Sequence, residues 1–80
     1  MPVIYVLAVT NTVELLQQGL NKIAQKVGEE GVEVVIAALQ ESDERLLSEV
    51  SDLMYHLLML LYVKNLSISD VFGVLGSRLK

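Results

Sequence analysis

Residues 20–39, LNKIAQKVGEEGVEVVIAAL, decide how this 80-residue chain is read. At about 100° per residue on a helical wheel, Lys22, Lys26, Glu29, Glu33 and Ala37 gather beside Glu30 in one narrow sector. The valines, isoleucines and leucines, Ile23 among them, are assigned to the remaining circumference. An ordinary surface helix has a broad polar face. Here the charged stripe is narrow, so it is expected to line a cleft while the rest seeks burial. Gly28 and Gly31 each weaken a helix by about 1 kcal/mol relative to Ala. Their missing side chains suit close helix approach or a local bend beside the glutamates.

A second stretch, ERLLSEVSDLMYHLLMLLYVK at 44–64, repeats the arrangement. Arg45, Glu49, Asp52 and His56 form one stripe against a wide arc of leucine, valine and methionine. Side chains three apart on a helix project together, so Glu30-x-x-Glu33 and Glu49-x-x-Asp52 are two carboxylate pairs. Packed antiparallel through a short connection, the helices bring these pairs alongside each other. Four carboxylates in one place call for a counter-cation, and hard oxygen ligands suit Mg²⁺. The alternatives are solvated helix faces or an ion-pair network with Lys22, Lys26 and Arg45. His56 and Tyr55 read as structural or packing residues.

Polar residues punctuate the chain between these stretches. Asn11 and Thr12 suit the start of a short helix over 12–18, and Gly19 a bend after it. Ser42 or Asp43 suits the N-cap of the second long helix, and Asn65 its end. Ser67 with Asp70 three residues on suits a capping box opening a last short helix. Met1 to Thr10, MPVIYVLAVT, is apolar without alternation, and reads as a short strand, an extended arm across a partner or an irregular lead-in. The chain is expected to be one domain over 1–80, with 1–11 as that arm.

Composition narrows the function. The chain is 52% hydrophobic but only 5% aromatic, which favours aliphatic helix packing. Its mean hydropathy of +0.50 calls for cover from a partner chain. The apolar stretches are too short or too interrupted for a bilayer, so a homo-oligomer is expected rather than membrane association. Cysteine is absent and the net charge is -4. Thiolate sites are excluded, a cytoplasmic protein fits, and no basic stripe supports nucleic-acid binding. Neither P-loop nor Rossmann glycine spacing occurs.

The run from Lys22 to Ala38 resembles the signature helix of the phosphoribosyl-ATP pyrophosphohydrolases, and Glu49 to Leu58 their second acidic helix. Leu66 to Val71 is similar to the lead-in of their last helix. The resemblance implies an all-α, MazG-like helical bundle completed by dimerisation. It implies Mg²⁺-dependent hydrolysis of phosphoribosyl-ATP to phosphoribosyl-AMP and pyrophosphate in histidine biosynthesis. The implied metal and catalytic set is Glu30, Glu33, Glu49 and Asp52, with Glu29 adjacent. Lys22 and Lys26 are the implied phosphate contacts, and a phosphoribosyl-AMP cyclohydrolase the implied functional partner. The N-terminus departs from the family: Thr10 and Asn11 replace a serine and a tyrosine, and Glu14 stands where lysine is common. A MazG-like hydrolase of another nucleoside triphosphate and a degenerate helical dimerisation module are the competing readings.

Overall fold

A computed structural model describes residues 12–79. The apolar arm and the Asn11 cap lie outside the described residues, as do the departures at Thr10 and Asn11. The described chain is all-α, with no strand among these residues. Residues 12–18 are helical (α1), followed by α2 (Leu20–Gln40), α3 (Asp43–Val63) and α4 (Ile68–Arg78).

Each junction has a local cause. Gly19 adopts φ 87°, a left-handed value that costs glycine little. Hydrogen bonds from Gly19 N–H to the Leu15 carbonyl and from Ile23 N–H to the Gly19 carbonyl continue across this bend. Ser42 Oγ accepts from Arg45 N–H at 3.2 Å, capping α3 with Asp43 and Glu44 in its first turn, where the helix dipole favours acids. At the other end, Asn65 takes φ 60°. Asn65 N–H reaches the Tyr62 carbonyl and Leu66 N–H the Leu61 carbonyl, the bond pair of a Schellman motif. Ser67 and Asp70 close the expected capping box: Ser67 N–H donates to Asp70 Oδ2 at 2.9 Å, and Asp70 N–H to Ser67 Oγ at 3.4 Å.

The two long helices form the main packing contact. Their two-residue connection forces them back along each other. Ile23 lies with Met59, Lys26 with His56, Glu30 with Asp52, and Glu33 with Glu49. A small core of Leu15, Ile23 and Met59 closes one end, packed by Tyr55, Leu60 and Val63.

This packing corrects the wheel in two respects. Ile23 falls only about 20° from Glu30 at 100° per residue, and it is fully buried, as Ala37 nearly is. The acidic stripe and the packed stripe of α2 are therefore one face. Within the single chain the remaining apolar arc is largely open: Val35 is 56% exposed, Leu39 79% and Leu47 69%. Gly28 and Gly31 do not mark a close helix approach within the chain, since an added Cβ at either meets nothing within 4 Å.

By length and composition α3 is apolar enough to cross a membrane. Its carboxylates Glu49 and Asp52, however, gather against Glu30 of α2, where they serve the site below.

Candidate metal centre and adjoining pocket

Antiparallel pairing brings Glu30, Glu49 and Asp52 together, with one carboxylate oxygen from each within 4.8 Å of the others. Glu49 is buried, at 6% exposure, and Glu30 is half-buried. Both Glu30 Oε2 and Glu49 Oε2 are shielded from solvent with no hydrogen-bond partner. Buried acceptors without a donor are costly. A shared proton, a bound water or a cation relieves them.

Glu33 is exposed and stands close enough to share a proton with Glu30 or Glu49. Burial, with Glu33 beside it, raises the Glu30 pKa above the ordinary carboxylate value. Glu49 is also raised, chiefly by its hydrogen bond with Glu33 and by burial, with Arg45 partly offsetting these. Glu33 is lowered, because Glu49 and Glu30 act as donors to it. Proton sharing of this kind between crowded carboxylates is what a divalent cation displaces. The donor set, all carboxylate, fits a hard ion such as Mg²⁺.

Glu29 lies outside the trio. It is exposed, with Lys26 Nζ at 3.8 Å and Gln25 Nε2 at 3.4 Å. Lys22 and Lys26 are half-buried and open onto a pocket of about 420 Å³ beside Asp52. Its other walls are Tyr55 and His56 of α3 and Glu14, Leu15 and Gln18 of α1. The Gly19 bend turns α1 to close this side.

Tyr55 and His56 have a larger part here than packing alone. His56 Nδ1–H donates to the Asp52 carbonyl at 2.8 Å, because a carbonyl can only accept. The Tyr55 ring meets His56 edge-on, with centroids 5.2 Å apart. The Tyr55 hydroxyl and Thr12 Oγ1 are 2.6 Å apart, tying α1 to α3. Their spacing after Asp52, three and four residues on, was the signal that they share its face. Glu14 and Gln18 gave no comparable signal, because their approach depends on the Gly19 turn.

The family model described as phosphoribosyl-ATP pyrophosphohydrolase matches residues 4–78. The chain belongs to this family. It is 51% identical over 69 residues to a phosphoribosyl-ATP pyrophosphatase of Sulfolobus acidocaldarius, covering 86% of this chain and 73% of that protein. A phosphoribosyl-ATP pyrophosphatase of Pyrobaculum calidifontis matches with the same identity and coverage. The histidine biosynthesis bifunctional protein HisIE of Xylella fastidiosa is 49% identical over 67 residues, 84% of this chain but 32% of that longer protein. The trio and the lysine-lined pocket lie side by side in this phosphoribosyl-ATP pyrophosphohydrolase relative.

Proposed function

We propose that the protein hydrolyses phosphoribosyl-ATP to phosphoribosyl-AMP and pyrophosphate, a step of histidine biosynthesis, with Mg²⁺ as cofactor. The observation that carries this reading is the pair of buried carboxylate oxygens in the Glu30, Glu49 and Asp52 cluster, which have no donor beyond a proton shared with Glu33. They lie next to a pocket walled by two lysines.

Glu30, Glu49 and Asp52 would hold the ion, with Glu33 beside them; Mg²⁺ bound there would supply charge neutralisation for the phosphates and Lewis acidity towards water. Lys22 and Lys26 donate to phosphate oxygens and fix the chain of phosphates along α2. Water attacks the α–β anhydride, and the pyrophosphate departs. Glu33, exposed beside the trio, takes the proton the water loses. The remainder of the nucleotide occupies the pocket against Tyr55 and His56. Holding the reactants in line supplies much of the rate.

Pyrophosphate release from phosphoribosyl-ATP and from a panel of ordinary nucleoside triphosphates tests the assignment. Turnover should favour phosphoribosyl-ATP, and Glu33→Gln should slow it by about 100-fold while leaving the fold intact. Equal turnover of ATP would sink the histidine-pathway reading. One observation favours that second reading of a MazG-like hydrolase with another substrate: Glu14, an acid, lines the pocket where a lysine is common in the family.

The working unit is proposed to be a cytoplasmic homodimer. The exposed apolar arcs of α2, α3 and α4 support a second copy as their cover. Phosphoribosyl-AMP leaving the site would pass to a phosphoribosyl-AMP cyclohydrolase.

A further inference from the structure

Resting on the metal-site reading above, we propose that Arg45 is a positioning residue that aims Glu49 into the cation site, with Glu41 as its anchor. Arg45 Nη2 donates to Glu49 Oε1 at 3.0 Å, and its Nε donates to Glu41 Oε1 at 3.4 Å. Arg45 and Glu49 are spaced i, i+4 on one side of α3, Glu41 is the C-cap of α2 in the two-residue connection, and the guanidinium fork bridges both. One Glu49 oxygen is thus engaged from outside, whereas the buried Oε2 has no donor other than a proton shared with Glu33. Arg45 itself is 60% exposed along its side chain, and Glu49 is the member of the trio it hydrogen-bonds. Arg45, Glu41, Glu49, Glu33 and Ile36 line a shallow cleft of about 200 Å³ on this flank.

Two effects of the guanidinium oppose each other. Its charge repels a cation. Its fork holds Glu49 against rotation towards solvent and away from the crowded carboxylates. A solvent-exposed charge is strongly screened, whereas a partner orienting a metal ligand is worth about 10–100-fold in affinity. Orientation therefore prevails, at the lower end of that range.

The test is thermal unfolding of the full chain titrated with Mn²⁺ or Mg²⁺ alone. Arg45→Met should require about tenfold more cation for the same rise in Tm, with Arg45→Lys and Glu41→Gln in between. In pyrophosphate release, the half-saturating cation concentration should rise by the same factor while kcat at saturating cation changes less than threefold. Binding as tight or tighter in Arg45→Met would overturn the proposal, reducing Arg45 to a charge balance. Full recovery in Arg45→Lys would overturn the role of the fork. Absence of any cation effect on the unsubstituted protein would instead remove the metal-site reading, and this proposal with it.

Discussion

Glu30 and Glu49 hold protons more firmly in the folded chain than when unfolded, because burial and neighbouring Glu33 disfavour their charge. Glu33 does the opposite, since both neighbours donate to it. The signs have a direct consequence for the metal-free protein. A carboxyl with a raised folded pKa loses stability for the protein as pH climbs from the ordinary carboxylate range through the raised value. A lowered one loses stability as pH drops through the lowered value. Stability should therefore peak near the ordinary carboxylate pKa and fall as the medium approaches neutrality. In a chelator, Tm should fall as pH rises from the ordinary carboxylate range towards neutrality, and millimolar Mg²⁺ should remove the drop by replacing the shared protons. Glu30→Gln should flatten the slope without metal. A chelated protein with level Tm over that interval would show that the carboxylates are farther apart than their packing indicates.

At the scale of elements, the joints depend on a few side chains. The Ser67–Asp70 box satisfies N–H groups at the start of α4, and a cap of this kind is worth about 1 kcal/mol. Ser67→Ala should lower unfolding stability by about that amount and leave pyrophosphate release unaltered, since α4 supplies no wall of the lysine-lined pocket. Denaturant unfolding checks the first outcome, and the activity assay the second. These joints were readable from the chain because capping is local: Ser42, Asn65, Ser67 and Asp70 act on backbone groups within five residues. The orientation of whole helices was less readable. A wheel groups residues by face but does not say which face meets the neighbour. Ile23 lies in the same sector as Glu30, so the packed face and the acidic face of α2 coincide. The pairing of Glu30 with Asp52 and of Glu33 with Glu49 followed from a short connection between two helices of matched length. The parts played by Tyr55 and Thr12 did not, because their 2.6 Å contact spans 43 residues.

At the scale of the molecule, the described residues bury few apolar side chains within the single chain. Leu15, Ile23, Ala37 and Met59 are the buried hydrophobic residues among those described, whereas Val32, Val35, Leu39, Tyr62 and Phe72 are all more than half exposed. The proposed homodimer would cover these arcs with a second copy, account for the high mean hydropathy and leave the carboxylate face to its own chain's α2 and α3. Val35→Glu, which places a charge in that covered arc, should convert a dimer to monomer or aggregate in sedimentation velocity. An unaltered dimer would place the interface elsewhere. The chemistry itself rests on one property of the assembled helices, their common hold on a divalent ion. Isothermal titration with Mn²⁺ measures it without reference to any nucleotide. Saturable binding that Asp52→Asn weakens at least tenfold, with helicity and assembly unchanged, is the expected result; an isotherm identical in the variant, or no binding in the unsubstituted protein, would contradict it.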